Sequence, residues 1–398
     1  MNILYISQYF YPEVCAPSNR AYANAKFLSA AGHNVCVVTE MPNHPKGIIY
    51  DDYKKKLYCR EKLNGIDVLR TWIYTSPKKS FIKRIMFYVT FMFFGSMISL
   101  LNWRKFDVVY VSSPPLFVGF IGLLIKKIFP KTKFVFEVRD LWPKSAVDIG
   151  ELNNKTIINI AEKIENTFYN ISNKVVALTD GINHYINDII PEKSVFIPNG
   201  VDLSLYETHG CTDEKFIIVY TGTLGLIHGL EIILKAAKKL KEESDIIFQF
   251  IGDGPKKVEL KQMAADYKLK NVDFIDSVPV DQIKKYLTSA SVGISTTKKL
   301  ELCKGTLPVK IFGYMACELP VLSSGWGESA IMIDKSGCGL NVEPENVDEL
   351  VDKILWMKGN QDKLSEMGKR GRLYVQKKYN REKQALEIEK LLKTMVKK

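Results

Sequence analysis

A glycine-rich turn in the second half of the chain has residue types and spacing that suit a phosphate group. The apolar run IIVY leads almost directly into Gly222, Gly225 and Gly229, and a helix is predicted to follow them. Glycine lets backbone N–H groups approach phosphate oxygens closely, and the helix N-terminus adds partial positive charge. A diphosphate is therefore a natural ligand. A tight strand-to-helix turn also needs glycine for steric reasons, so packing explains the turn equally well when it is taken alone.

Further motifs surround this turn in a fixed order. The second half contains IPNGVD (197–202), FIGDGP (250–255) and LPVKIFGYMACELPVLSS (307–324). The first half contains ISQYFYPE (6–13), APSNR (16–20), MPNHPKG (41–47), SSPPLFVG (112–119) and EVRDLWPKSAVDIG (137–150). Over nearly its whole length the chain resembles glycosyltransferase family 4, whose members have the GT-B fold. Its first half resembles the subgroup that builds bacterial O-antigen and capsule, notably the N-acetyl-L-fucosaminyl transferases.

The resemblance implies roles for three groups of residues and no metal ligand. The catalytic group is Arg139, Asp140 and Lys310, and the acceptor side has Asn19 and Arg20. The donor-binding group is Gly222, Thr223, His228, Asn199, Gly252, Asp253, Val278, Pro279, Thr306, Leu307 and Pro308. Structural explanations compete with these roles. Lys310 could be a solvated helix residue, Arg139 could pair with Asp140, and Asp253 could only form a turn.

The chain departs from the family pattern at three positions. Family members commonly carry two glutamates before the Met-Ala turn, where this chain has Gly305 and Gly313. Thr223 replaces the usual arginine of the diphosphate loop, and Glu301 is the nearest candidate to replace a missing glutamate. The departures bear on the ribose contact and on catalytic competence, and they leave the predicted fold unchanged.

The activity that the resemblance implies is transfer of a sugar from a UDP-sugar to a polyprenyl-diphosphate-linked acceptor, in O-antigen or capsule synthesis. The sugar would be an N-acetylated deoxy-sugar such as N-acetyl-L-fucosamine, transferred with retention. No cofactor or metal is expected, and the chain contains no Asp-x-Asp. A UDP-sugar epimerase and an inactive relative that serves as a binding partner are the two alternatives.

Strands that alternate with helices predict an α/β fold of two Rossmann-like, doubly wound domains facing across a cleft. The first domain is expected over 1–203 and the second over 204–379. A helix over 380–398 is expected to pack back on the first domain. The predicted strands are 2–7, 35–39, 66–73, 107–113, 133–138, 174–178 and 194–197 in the first domain, and 215–220, 245–251, 272–275, 292–295, 320–323 and 339–342 in the second.

Charge is concentrated in one part of the first domain. Residues 78–133 carry nine of the twelve net positive charges, and 85–101 within them is free of charged residues. A bilayer-spanning helix, a buried helix and a helix lying in the membrane interface are all possible interpretations. The interfacial one is favoured, because it explains both the apolar run and its basic flanks. It places Phe87, Tyr88, Phe91, Phe93 and Phe94 in lipid and makes 78–105 a membrane-associated stretch.

The remaining sequence features indicate a cytoplasmic protein at the inner face of the plasma membrane. Seven scattered cysteines without metal-ligand spacing are typical of a reducing compartment. The first residues, MNILYI, lack a basic region and predict a buried strand in place of a secretory signal. The expected partners are therefore a nucleotide-sugar, a lipid-linked acceptor and an anionic membrane surface, and no nucleic acid.

Overall fold

The computed structural model of the protein describes residues 1–77, 80–206, 208 and 215–397. The chain divides into two compact units, the first formed by Met1–Asn199 with Glu382–Lys398 and the second by Gly200–Arg381. These borders lie within four residues of those expected from the sequence. Lys78 and Lys79, which begin the predicted membrane-associated stretch, lie outside the described residues.

The first unit is built on an eight-stranded sheet, counted over the described part of the chain. The strand order is β3-β4-β2-β1-β5-β6-β7-β8, and all neighbours are parallel except β3 and β4. The strands are β1 (Asn2–Ser7), β2 (Asn34–Glu40), β3 (Tyr58–Leu63), β4 (Ile66–Thr71), β5 (Val108–Ser113), β6 (Lys133–Val138), β7 (Lys174–Ala177) and β8 (Ser194–Phe196).

Helices cover both faces of this sheet. They are α1 (Ala16–Ala30), α2 (Phe81–Leu101), α3 (Gly119–Ile128), α4 (Lys144–Asp148), α5 (Lys155–Ile171) and α6 (Asp180–Ile189). Alternate residues of β1 belong to different cores: Leu4 packs with Phe91 of α2, and Tyr5 packs with Ala25 of α1. This alternation follows from the two-residue side-chain period of a strand and explains why β1 is apolar throughout.

The second unit is built on a six-stranded parallel sheet of order β11-β10-β9-β12-β13-β14. Its strands are β9 (Phe216–Thr221), β10 (Ile246–Ile251), β11 (Val272–Ile275), β12 (Val292–Thr296), β13 (Val321–Ser324) and β14 (Gly339–Val342). Its helices are α7 (Glu231–Lys239), α8 (Lys257–Asp266), α9 (Val280–Ser289), α10 (Glu301–Lys304), α11 (Val309–Ala316), α12 (Glu328–Ser336), α13 (Val347–Gly359) and α14 (Gln361–Lys378). The predicted α/β fold with two doubly wound domains is confirmed.

The chain ends in α15 (Arg381–Val396), whose residues from Glu382 onward belong to the first unit. Ile388, Leu392 and Met395 enter the core that α1 and β1 share. Glu389 Oε1 also lies 2.8 Å from the imidazole Nε2 of His33. Apolar burial together with this polar contact holds the end of the chain on the first unit.

Helix α2 is the apolar run that the sequence placed in the membrane interface. Among the described residues, Ile82–Leu101 is the one helix long and apolar enough to cross a membrane, and 22% of that window is buried. The strands before and after it, β4 and β5, belong to the same sheet, so it lies on the first unit as part of its fold. The placement of Phe91 in lipid is wrong, because this ring is 0% exposed and packs in the core. Phe93, in contrast, is 62% exposed.

Candidate functional site

The glycine turn of the second unit lies at the carboxyl edge of its sheet, between β9 and α7. Gly222 has φ 117°, a conformation that side-chain-bearing residues rarely adopt. Gly252, which follows β10, would place a Cβ 2.0 Å from the carbonyl oxygen of Gly222. The two turns are also joined by hydrogen bonds from Gly222 N to Ile251 O, at 2.9 Å, and from Leu224 N to Asp253 O, also at 2.9 Å. Two of the predicted donor-binding glycines are thus in direct contact.

Lys310 lies in the first turn of α11 and reaches the same glycine turn. A methyl group built on Gly222 would lie 3.6 Å from Lys310 Cε and 3.9 Å from its Nζ. The ammonium lies 3.6 Å from the centre of the Tyr220 ring, a cation–π contact. Lys310 as a whole is partly exposed, but its Nζ is buried and has no hydrogen-bond partner among the described residues. An unpaired buried ammonium beside a phosphate-compatible turn is a candidate anion-binding group.

His228 is the second basic side chain at this turn. Its ring lies 3.2 Å from a Cβ built on Gly225, and its Nδ1 is buried without a hydrogen-bond partner in the described part of the chain. Burial, and secondarily the charge of Lys310, lower the pKa of His228 to about 3. Burial also lowers the pKa of Lys310 well below its ordinary value. Burial is the main cause of both shifts, because it disfavours the charged forms, and a bound anion would favour those forms again.

The other predicted donor residues lie along the same edge of this sheet. Val278 and Pro279 follow β11, and 306–308 immediately precede α11 and Lys310. Asp253 and Thr223 are exposed, and Asp253 accepts a hydrogen bond from Lys257 at 3.0 Å. The order of the strands therefore brings all of these positions to one edge, whereas direct contact is observed for Gly222, Gly252 and Lys310.

Glu301 and Gly313, which concern the departure from the family pattern, each have a defined neighbour in the structure. Glu301 is exposed and pairs with Lys304 at 3.0 Å, so its carboxylate is engaged on its own helix. Gly313 faces Tyr206, whose hydroxyl oxygen lies 3.3 Å from a Cβ built on the glycine. Burial raises the pKa of Tyr206 to about 12. The Tyr206 hydroxyl was missed by sequence reasoning, because no local pattern brings it to Gly313.

In the first unit, Arg139 and Asp140 follow β6 and do not pair with each other in the described structure. Arg139 donates to the carbonyl oxygens of Ser113 (3.1 Å) and Pro114 (2.7 Å), which fixes it to the end of β5. Burial raises the pKa of Asp140, and a hydrogen bond with Ser145 partly offsets this rise. The structure therefore holds both residues at the carboxyl edge of the first sheet through separate partners.

Arg20, predicted on the acceptor side, is buried in the first unit and forms an ion pair there. It is 3% exposed, and its guanidinium lies 2.8 Å from Glu137 Oε2. It also donates to the carbonyl oxygens of Pro198 (2.8 Å) and Ile197 (3.2 Å), and more weakly to the side chain of Asn199 at 3.5 Å. The guanidinium is thus occupied inside the first unit. Asn19, its neighbour in the first turn of α1, is partly exposed.

Comparison with known proteins agrees with the fold. Residues 18–205 match the model of Glycosyltransferase Family 4, and residues 206–374 match that of Glycosyl transferases group 1. A protein of Escherichia coli described as a colanic acid biosynthesis glycosyl transferase, WcaI, is 23% identical over 376 residues, which cover 89% of this chain and 91% of that one.

Two solved structures are similar over the whole chain. Sucrose-phosphate synthase from Thermosynechococcus elongatus has a TM-score of 0.79 at 16% identity, covering 99% of each chain. HepE of Anabaena, solved in complex with UDP-glucose, has a TM-score of 0.73 at 14% identity, covering 99% of this chain and 100% of that one. The two parallel-sheet domains have the GT-B fold, and the chain is a glycosyltransferase. The consecutive matches, to the family 4 model over 18–205 and to the group 1 model over 206–374, support a glycosyltransferase of the family 4 type.

Proposed function

We propose that the protein transfers a sugar from a UDP-sugar to a lipid-diphosphate-linked acceptor in the synthesis of a bacterial surface polysaccharide. The observation that carries the donor side is the unpaired buried ammonium of Lys310 beside Gly222. The similar HepE structure holds UDP-glucose, and WcaI is described as an enzyme of colanic acid biosynthesis, which supports this class of donor and product. The first-half motifs favour N-acetyl-L-fucosamine as the transferred sugar.

In the proposed reaction, the acceptor hydroxyl oxygen forms a bond to the anomeric carbon while the bond from that carbon to the diphosphate breaks. The departing diphosphate accumulates negative charge, which the ammonium of Lys310 and the N–H groups of the glycine turn would stabilise. A diphosphate oxygen takes the proton of the acceptor hydroxyl on the same face of the sugar, which gives retention. The reaction as proposed uses no metal ion.

The donor assignment is tested by thermal unfolding of the protein with a panel of UDP-, GDP- and dTDP-sugars. A ligand that binds the folded state raises its stability by mass action, by about 2.7 kcal/mol at a hundred times the dissociation constant. We expect a UDP-sugar to raise the midpoint of unfolding. If no sugar nucleotide does so, the proposed function is wrong; conversion of a UDP-sugar without any acceptor would instead identify an epimerase.

The same proposal places the protein on an anionic membrane through α2. Ile82, Met86, Phe93, Met97 and Leu101 form an exposed apolar stripe along this helix, here called the outer stripe. Beyond its end, exposed Lys105 and Lys131 line a pocket together with Trp103, whose ring stacks on that of Phe129 with centres 3.7 Å apart. An apolar stripe with cations at its end suits the boundary between acyl chains and anionic headgroups.

Replacing Phe93 and Met97 together by serine is expected to weaken binding to anionic liposomes at least tenfold. Each side chain contributes about 1.5–3 kcal/mol when fully transferred from water to an apolar phase, and 1.4 kcal/mol corresponds to a factor of ten. Co-sedimentation with vesicles measures the change. Leu373→Ser, at a position of α14 that is 66% exposed, is the matched control. Unchanged co-sedimentation of the double variant would rule out the outer stripe as the membrane contact.

A further inference from the structure

The first unit contains a cavity of about 290 Å³ that none of the roles described above uses. It lies at the carboxyl edge of the sheet, where the segments after β1, β2 and β4 meet the first turns of α2. The residues that line it include Tyr9, Asn43, His44, Lys83, Arg84 and Tyr88. Loops from three neighbouring strands and one helix therefore line one partly open cavity.

The charge of the cavity wall is positive. Lys83 and Arg84 lie in the first turn of α2, where the helix dipole adds further positive potential. Lys83 Nζ lies 3.3 Å from Ser76 Oγ and makes no ion pair within the described residues. Arg84 forms an ion pair with Glu151 at 2.5 Å. Lys83 is therefore the cation whose charge is available to a ligand. A phosphate group matches such a wall.

The wall of the cavity formed by Asn43 and His44 is fixed by two buried carboxylates. Glu13 Oε1 accepts hydrogen bonds from the backbone N–H groups of Asn43 and His44, both at 2.8 Å. The side chain of Asn43 in turn donates to Glu40 Oε1 at 2.6 Å. Glu13 and Glu40 are 2% and 1% exposed, so these bonds are shielded from water. The loop that faces the cations is thus fixed before any ligand arrives, which lowers the entropic cost of binding.

The cavity also adjoins an apolar path. Phe87 and Tyr88 line it, and their rings are 5.4 Å apart. The outer stripe begins on the same helical turns, with Ile82 74% exposed and Met86 46% exposed. A ligand whose phosphate lies against Lys83 would therefore have exposed apolar side chains beside it for a hydrocarbon chain. Neither a free phosphate nor a nucleotide would use that stripe.

We infer that this cavity binds the phosphate of the lipid-linked acceptor, with the lipid chain leaving along the outer stripe of α2. The identification of the ligand as the acceptor rests on the proposed function. The site itself rests on the cavity, its cations and the adjoining apolar stripe. It is separate from the glycine turn, which belongs to the second unit.

The test is calorimetric titration with farnesyl diphosphate, a short lipid diphosphate, in the presence of saturating UDP so that the glycine turn is occupied. Farnesol and inorganic pyrophosphate supply the lipid alone and the anion alone. We expect Lys83→Gln to weaken farnesyl diphosphate binding about tenfold, because it removes a charged hydrogen-bond donor, and Arg84→Gln to weaken it less, because Glu151 already pairs with that guanidinium. Lys163→Gln removes an equal charge from an exposed position of α5 and should change nothing.

The outcomes separate this inference from the proposed function. Wild-type affinity in Lys83→Gln would overturn the cavity assignment, and so would binding of farnesol as tight as that of the diphosphate. If pyrophosphate binds as tightly as farnesyl diphosphate, the inference that the bound phosphate belongs to a lipid is wrong. A separate UDP titration reports on the donor site. If wild-type protein fails to bind UDP while its binding of farnesyl diphosphate still depends on Lys83, the proposed function fails and the cavity remains an anion-lipid site.

Discussion

Replacing Lys310 by methionine is expected to lower the rate of sugar transfer about 10²–10³-fold without lowering the thermal stability of the protein. Loss of one preorganised group that stabilises developing negative charge has an effect of this size. Stability should be unchanged or higher, because the ammonium is buried without a partner and its desolvation is uncompensated until an anion binds. Methionine keeps an unbranched side chain of similar length and removes the ammonium that lies over the Tyr220 ring. Steady-state kinetics and thermal unfolding of the same preparations measure both quantities.

Lys335→Met is the matched control, since Lys335 is an exposed lysine of α12 in the same unit. It should leave both the transfer rate and the unfolding midpoint unchanged. A Lys310→Met variant that transfers sugar at the wild-type rate would show that the ammonium does not contact the diphosphate. A variant that loses activity only because its unfolding midpoint falls would point to a packing role for the side chain.

The lowered pKa values at this site predict that UDP binding takes up protons. In the free protein, burial favours the neutral forms of Lys310 and His228. A bound diphosphate supplies negative charge and raises both pKa values, so a proton enters with the ligand at pH values between the free and bound pKa. The signal is a binding enthalpy that depends on the ionisation enthalpy of the buffer. Lys310→Met should remove most of this dependence.

The parallel strands were predictable from the sequence because they are short, largely apolar runs, and the central strands β1, β5 and β9 are buried on both faces. β3 was not predicted. Its sequence YCREKL is largely polar, and it forms the edge of the first sheet, where one face is solvated. The sequence did contain one signal of this hairpin, the dipeptide Asn64-Gly65 between β3 and β4. Asn64 has φ 49° and Gly65 has φ 80°, and the two residues form the hairpin turn.

The site was predictable where its chemistry is local and not where it depends on distant contacts. The glycine turn follows its strand directly, so the type and spacing of residues indicated a phosphate site. The approach of Lys310 to Gly222 joins residues far apart in sequence, and family resemblance supplied it. The core position of Phe91 was missed because α2 is apolar on all sides, so no periodicity distinguishes its buried face from its exposed one.

Arg20→Gln is expected to lower the free energy of unfolding of the first unit by about 3–5 kcal/mol, because it leaves the carboxylate of Glu137 buried without its counter-ion. Burial tends to raise the pKa of Glu137, but the charge and hydrogen bonds of Arg20 outweigh it and hold this pKa below its ordinary value. The ion pair therefore stabilises the folded state fully at pH values above the pKa that Glu137 has in the unfolded chain. This stabilisation is lost as the pH falls through the lower pKa that Glu137 has in the folded protein. Denaturant unfolding at neutral pH measures the difference.

The double variant Arg20→Gln/Glu137→Gln distinguishes a buried ion pair from two independent contacts. Tyr110 and Ser112 donate to different oxygens of Glu137, at 2.6 and 2.7 Å. Glutamine at 137 keeps one of these bonds through its amide oxygen and donates from its amide nitrogen to the other hydroxyl, while no unpaired charge remains. We therefore expect the double variant to be more stable than Arg20→Gln alone. Arg60→Gln, which breaks an ion pair whose arginine is 49% exposed, should cost no more than about 1 kcal/mol. If Arg20→Gln is as mild as Arg60→Gln, the guanidinium does not stabilise the first unit. Its expected place on the acceptor side would then be the better explanation of why this chain has an arginine there.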